Sequence, residues 1–430
     1  MNVVFFSIVS IACIVAGWHQ LHWLAAPGTP SPMEALTKAM IQSAADSVEL
    51  ALGLVGVMTL FLGLVKVAES GGLLRIIARL IHPIMVKLFP NIPPDHPAMG
   101  AMILNISANA MGLGNAATPF GIRAMQELDK LNGQPGTATD SMALFLAINT
   151  SSVTLLPTGV IALRAAAGST DPAGILPTTL FATLCSTLVA VVAAKFYGHL
   201  CAKGRPPEGP GVRVSHRPPE NNEPWISHDE TSPYPLWVTI LAIGALLACI
   251  PLAVLWGKQV SPWVIPGLML GFLLFGFLRK VRVYEVFVDG AKEGFNVAVK
   301  IIPYLVAILV AVGMFRSSGA MDLMVNLLGP LTDKIGLPAQ ALPMALLRPL
   351  SGSGAYGLLA SIINDPSIGP DSYIGYLVST LQGSTETTFY VIAIYFGAVQ
   401  VKKIRHTLAA ALTADLAGIV GAALACSFLL

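Results

Sequence analysis

The sharpest chemical signal in the sequence is a carboxylate inside an apolar stretch. Glu386 sits in Gln382-Gly383-Ser384-Thr385-Glu386-Thr387-Thr388, within an apolar span of about 374–398. An ionisable side chain at membrane depth marks a pathway or a binding site by default. Such a carboxylate can hold a cation, titrate with a coupled proton, or accept hydrogen bonds from a solute. The competing reading is a structural carboxyl paired with Arg348. Both readings can hold together, because an Arg348–Glu386 pair can form part of a gate.

Three further segments share this small, polar character. The first is Asn105-Ile106-Ser107-Ala108-Asn109, continuing through Gly112, Gly114 and Asn115 to Thr118 and Pro119. Three asparagines cannot face lipid, where an unsatisfied amide costs several kcal/mol. They either offer amides to a polar ligand or tie helices together, with the glycines allowing close approach. The second is Asn149-Thr150-Ser151-Ser152, followed by Thr154, Pro157 and Thr158, central in a span of about 141–165. Pro157 removes a backbone donor, and a helix broken there has free ends that bind ions or polar groups. Serine and threonine can equally bond back to their own helix. The third is Arg348-Pro349-Leu350-Ser351-Gly352-Ser353-Gly354. It superficially suggests a phosphate loop, but it has no G-K-[ST] and no preceding strand, so nucleotide hydrolysis is rejected. His96, between Asp95 and Pro97, has no second ligand at metal spacing and reads as a helix-entry residue. Asp322, Asp333, Glu127 and Asp129 fall on amphipathic connections and are expected to be solvated.

These segments need membrane-embedded elements to position them. The 430 residues are 54% hydrophobic and 11% charged, with mean hydropathy +0.71. Soluble proteins carry about 25% charged residues, so the chain is an integral membrane protein. A net charge of +2 without a long basic run argues against nucleic acid. Cys13, Cys185, Cys201, Cys249 and Cys426 are scattered without a C-x-x-C pair, so no metal site or disulfide framework is indicated. Residues 3–23 form a first transmembrane helix, since no basic region precedes the apolar run.

Residues 202–233 are polar and proline-rich and read as a cytoplasmic linker between repeats 1–201 and 234–430. The halves align in order. Apolar helices at 3–23 and 261–278 precede amphipathic segments at 33–48 and 284–295, then helices at 49–68 and 297–315. Amphipathic stretches, the paired interrupted segments, and closing helices at 173–197 and 406–430 follow. The second half carries one extra helix, 234–257. If the first interrupted segment of each half is re-entrant, the halves are inverted. Lys66, Arg75, Arg79, Lys402, Lys403 and Arg405 then fall on the cytoplasmic side with most other basic residues, and Lys38, Arg164 and Arg316 outside. The expected fold is an all-α integral membrane protein of two inverted-topology repeats with re-entrant or broken helices.

The residues that carry a family resemblance are long and specific. M-T-L-F-L-G-L-V-K-V-A-E-S-G-G-L-L and D-H-P-A-M-G-A-M-I-L-N-I-S-A-N-A-M-G-L-G-N-A-A-T-P resemble spore maturation protein A. A-L-L-R-P-L-S-G-S-G-A-Y-G and Q-G-S-T-E-T-T-F-Y resemble spore maturation protein B. The chain looks like a fusion of the two, in the nucleoside recognition (Gate) domain family. That resemblance implies a transporter-like membrane protein. It brings no catalytic residues and no established substrate.

The leading expectation is a secondary transporter of a small polar solute, nucleoside-like among others, working by alternating access with H⁺ or Na⁺ coupling. Asn105, Asn109, Asn115, Asn149, Ser151, Arg348, Ser351, Ser353, Gln382 and Thr385 are expected to line its site, with Glu386 as the coupling group. A non-transporting scaffold for envelope or spore maturation is the alternative. An enzyme is not expected, as neither H-E-x-x-H nor G-x-S-x-G occurs. The expected setting is the bacterial inner membrane, multi-pass, with the N-terminus cytoplasmic. The expected partners are the solute, the lipid bilayer and a second copy in a homodimer; no nucleic acid partner and no resident cofactor are expected.

Overall fold

A computed structural model describes residues 2–24, 29–201, 234–332 and 336–429, so the linker 202–233 and Asp333 lie outside the described residues. The described residues are helical throughout, with one isolated bridge between Thr137 and Lys403. The first half comprises α1 (Asn2–Leu21), α2 (Pro32–Ser70), α3 (Leu73–Leu88), α4 (Pro97–Ala110), α5 (Gly114–Asp129), α6 (Asp140–Thr150), α7 (Thr158–Ala166) and α8 (Leu176–Leu200). The second comprises α9 (Leu236–Leu278), α10 (Val283–Ser317), α11 (Ala320–Thr332), α12 (Leu342–Leu347), α13 (Gly352–Ile363), α14 (Tyr373–Ser384), α15 (Thr388–Ala398) and α16 (Thr407–Leu429). Elements α2–α8 and α10–α16 follow the same order. Helices α8 and α16 are each long and apolar enough to cross a membrane, and α2 bends by 67° into α3.

Several boundaries differ from the sequence reading. The amphipathic and apolar pieces at 33–48 and 49–68 form one helix, α2, and those at 284–295 and 297–315 form α10. No proline or cap interrupts either junction, so helical propagation carries through. The start of α2 is well specified: Ser31 and Glu34 close a capping box. The two expected helices 234–257 and 261–278 join as α9. A straight helix of that length would run about 65 Å. Yet Thr239 near its start donates to the Leu80 carbonyl, and Gly276 near its end packs on Val67, so α9 folds back between these points.

Equivalent helices of the two halves run antiparallel. Along α2 and α10, Ser43 faces Gly313, Thr59 faces Gly294 and Lys66 faces Gly290. Along α8 and α16, Ala182 faces Gly421, Ser186 faces Gly418 and Gly198 faces His406. Small residues at each crossing let the paired backbones approach. Antiparallel pairing of equivalent helices is what inversion of one repeat relative to the other requires.

The cores are shared rather than private. One unites Val160–Leu163 of α7 with α12–α14 of the second half. The other unites α3–α6 with Val391, Tyr395 and Phe396 of α15. Each half thus sends the second arm of its broken helix into the other half. Tyr356 of α13 packs on Gly159 of α7, and Tyr395 of α15 packs on Gly121 of α5.

The ends of the broken helices are latched in the same reciprocal way. Arg164, fully buried on α7, pairs with Asp371 ahead of α14 at 3.0 Å, and its guanidinium stacks on Tyr376. Arg405, beyond α15, pairs with Asp140 at the head of α6 at 2.7 Å. Asp371 also accepts from Ser169 and from the Thr170 backbone and hydroxyl. Partial burial pushes its carboxyl up, but these bonds and Arg164 together hold it below its ordinary value. Glu127, expected in solvent, is instead buried and paired with Arg123 at 2.9 Å and Lys130 at 2.8 Å. Its face of α5 turns toward the core that holds Met125 and Leu128, and two long cations reach in to compensate.

Candidate functional site

Four helix interruptions meet in the interior. Two are the tips between α4 and α5 and between α12 and α13. Two are the gaps between α6 and α7 and between α14 and α15. In the first half, Leu155 N–H donates to the Ala110 carbonyl at 2.8 Å. Gly112, at φ +75°, stands directly against the Leu156 carbonyl, where no Cβ fits. In the second half, Phe389 N–H donates to the Pro349 carbonyl at 3.1 Å, and Gly352 stands against the Thr387 hydroxyl. Glu386 N–H donates to the Thr150 carbonyl at 2.8 Å, which joins the two gaps across the repeats.

Arg348 is the organising cation. Its Nε donates to the Gln382 carbonyl at 3.0 Å and its Nη1 to the Thr387 hydroxyl at 3.1 Å, while Nη2 donates to the Thr385 carbonyl. These carbonyls end α14 and would otherwise be orphans of a broken helix. A cation there also meets the negative end of the helix dipole. The same guanidinium lies 3.7 Å from Glu386, whose side chain is 40% exposed while that of Arg348 is 8% exposed. The pair read from the sequence therefore exists, but Arg348 serves chiefly backbone, and the Glu386 carboxylate stays partly exposed.

The remaining candidates divide by what they already do. Asn109 donates to the Asn149 side chain at 3.0 Å, and Asn149 donates to the Phe145 carbonyl at 2.9 Å. Asn105 donates to the Ala117 carbonyl at 2.8 Å and the Tyr395 hydroxyl at 3.0 Å, and its own carbonyl oxygen is buried without a partner. Ser151 bonds back to Ala147, while Thr187 donates to the Ser151 carbonyl. Ser351 caps α13 by accepting from Gly354 N–H at 3.0 Å. Thr385 is buried and offers its carbonyl to Arg348. Ser353 is half-buried on the first turn of α13. Asn115 falls on α5, but its side chain lies outside the described residues. Gln382 is buried beside the Tyr356 hydroxyl, with neither amide atom in a well-formed hydrogen bond. Ser152 Oγ and Thr179 Oγ1 are likewise buried and unpartnered. His96 is the N-cap of α4, its Nδ1 accepting from Ala98 N–H at 3.1 Å. Burial, the largest influence, holds its imidazole below the ordinary value, which keeps Nδ1 free to accept.

One group was missed from sequence. Asp415 lies in α16, read as a plain apolar helix, and its carboxylate accepts from Thr388 at 2.7 Å beside the second gap. A single carboxyl within Ala-Ala-Ala-Leu-Thr-Ala-Asp-Leu-Ala-Gly is the signal that could have found it. Among the described residues, no cluster of three metal-ligating side chains occurs.

The arrangement offers two helix N-termini without side-chain caps (α7 and α15) and several unspent amides and hydroxyls. Such a set can exchange hydrogen bonds with a polar solute bearing both donors and acceptors.

The comparisons agree with the duplication. Residues 51–167 and 298–402 each match the nucleoside recognition (Gate) family. The chain is 46% identical over 174 residues to spore maturation protein A of Bacillus subtilis, a match spanning 40% of this chain and 89% of that protein. It is 51% identical over 157 residues to spore maturation protein B of the same organism, spanning 36% of this chain and 87% of that protein. The two matches fit a fusion of both relatives. A solved structure described as the Alcanivorax borkumensis YdaH transporter aligns over 99% of this chain and 97% of its own, at 16% identity and a TM-score of 0.44.

Proposed function

This chain belongs to the nucleoside recognition (Gate) family of multi-pass membrane proteins, and on that footing we propose that it is a secondary transporter for a small polar solute, nucleoside-like in its hydrogen-bonding demands. The observation that carries the reading is the junction of two helix gaps from inverted repeats, joined by Glu386 N–H and the Thr150 carbonyl and bordered by unspent polar atoms of Gln382, Ser152 and Asn105. Broken backbone at membrane depth belongs where it lines a cavity. Asn109, Asn149, Ser353, Gln382 and Glu386 contact the solute. Arg348, Ser351, Ser151 and Thr385 hold the backbone around it.

Alternating access comes from the crossed arms. Because α7 packs in the second half's core and α15 in the first half's, rocking one body against the other moves both gaps together. The Arg164–Asp371 and Arg405–Asp140 latches tie each crossed arm to the body that receives it, so that arm and body move as one. The N-terminus is cytoplasmic, the membrane is the bacterial inner membrane, and the working assembly is a homodimer.

The test is a thermal-shift screen of detergent-purified protein against nucleosides, amino acids, dipeptides and muropeptides, with and without Na⁺ and at two pH values. A ligand that stabilises the wild type and not E386Q identifies substrate class and site together. Stabilisation of both proteins alike would remove Glu386 from the site. The names of the spore maturation relatives favour a second reading, a membrane scaffold. That reading expects no solute to stabilise the protein and expects E386Q to behave as wild type.

A further inference from the structure

Helix α16 carries one carboxyl in an otherwise apolar run, and its surroundings are built rather than incidental. Asp415 is 3% exposed. Its Oδ2 accepts from Thr388 Oγ1 at 2.7 Å, while Oδ1 is buried without a partner. Thr388 opens α15, immediately beyond the gap that holds Glu386. One turn along α16, Gly418 lies against the Thr385 methyl and Ser186, so α16 is pressed onto that gap without a side chain between. Ser186 Oγ donates to the Ala414 carbonyl at 2.8 Å and fixes the approach. The carboxyl therefore reports through one hydrogen bond on the position of the α15 N-terminus.

We propose that Asp415 is the proton-binding carboxyl that couples transport to a proton gradient. The inference rests on the transporter reading above. A buried ionised carboxylate needs several hydrogen bonds or a close cation. Asp415 has one neutral hydroxyl donor. Arg348 is the cation acting on it, and that guanidinium is already committed to the α14 carbonyls and Glu386. A bound proton removes the charge. A metal cation would need several oxygens around it, and Thr388 supplies one.

The other titratable groups on elements packed against α16 are Cys185, Lys195, Tyr197 and His199 on α8, Tyr373 and Tyr376 on α14, Tyr390 and Tyr395 on α15, Glu386 at the gap, and Asp140 with His406 at the far end of the helix; the Tyr197 hydroxyl pairs with Thr413. None of them is a hydrogen-bond partner of Asp415 Oδ1. In the arrangement seen here, the carboxyl holds its proton. When the bodies rock and Thr388 withdraws, the gap admits water, the O–H bond breaks and the proton leaves as hydronium. Rebinding from the opposite side restores the acid. Glu386, more exposed and paired, is then free to contact solute.

The experiment is an infrared pH titration of the full-length protein in lipid nanodiscs, which needs no solute. The expected result is a protonated-carboxyl band that D415N abolishes, that E386Q retains, and that T388V shifts in frequency. An unchanged band in D415N overturns the proposal. So does binding of ²²Na⁺ by wild type that D415N alone abolishes, because the site would then be a sodium site. Melting curves show which variants fold, and D415E supplies a second carboxyl that should restore a band if the asparagine variant does not fold. In proteoliposomes loaded with a solute found by the screen, D415N should retain counterflow exchange and lose accumulation driven by a pH gradient. Accumulation by D415N at the wild-type level overturns the coupling role. A titrating Asp415 band in a protein that carries none of the solutes would sustain the proton site and refute the transporter reading instead, so the two failures are distinct.

Discussion

Replacing Arg348 with methionine keeps the length of the side chain and removes the guanidinium, and the structure says what should follow. Two buried carbonyls, those of Gln382 and Thr385, lose a charged donor, and the Thr387 hydroxyl loses a third contact. Hydrogen bonds to charged groups contribute about 1.5–3 kcal/mol each, and a buried group left unmade costs its desolvation. Two orphaned carbonyls therefore predict a loss of about 3–6 kcal/mol. The Glu386 contact is different. At 3.7 Å, with its carboxylate 40% exposed, it falls in the class of pairs that contribute under about 1 kcal/mol. E386Q should then be nearly neutral for stability while R348M is severe. R348K should lie between them, because a lysine ammonium cannot serve both carbonyls with a planar fork. Chemical unfolding of the full chain in detergent, followed by circular dichroism, measures all three. If E386Q costs as much as R348M, the guanidinium exists for the carboxylate, and the reading that frees Glu386 for solute is wrong.

The remaining predictions concern the repeats and their latches. Cysteines at Ser43 and Gly313, or at Thr59 and Gly294, should cross-link under mild oxidation, whereas a Ser43–Gly294 pair should not; the reverse pattern would refute the antiparallel repeats. Gly112→Ala should destabilise by at least about 1 kcal/mol, since the site needs positive φ and abuts the Leu156 carbonyl; an unchanged melting curve would show that the tip is loose. The Asp371 carboxyl sits below its unfolded value, so its contribution is present above that unfolded value and fades as pH falls through the folded one. D371N should therefore flatten the acid limb of the stability–pH curve, and an acid limb identical to wild type would show that the latch does not hold the fold.

Much of the architecture was legible because it is encoded in composition and local pattern. Few charges and long apolar runs require a bilayer, and the polar interruptions around Asn105, Asn149, Ser351 and Glu386 stand out against that background. His96 ahead of Pro97 reads as a helix entry because N-capping is a matter of adjacent residues. The Arg348–Glu386 pair could be suspected because unlike charges in apolar sequence seek each other. Local pattern does not carry the rest. The α7 and α15 arms exchange between halves, and Arg164 meets Asp371 some two hundred positions away. Such contacts are chosen by how antiparallel helices with glycines at their crossings stack, and no window of sequence contains both partners. Asp415 shows the same limit from the other side. Its carboxyl is visible in the sequence, but tertiary packing decided that it should meet Thr388 at the edge of the second gap, sealed from water with one oxygen unspent. Residue chemistry gave the groups, and the folding of one repeat against its inverted copy decided which of them meet.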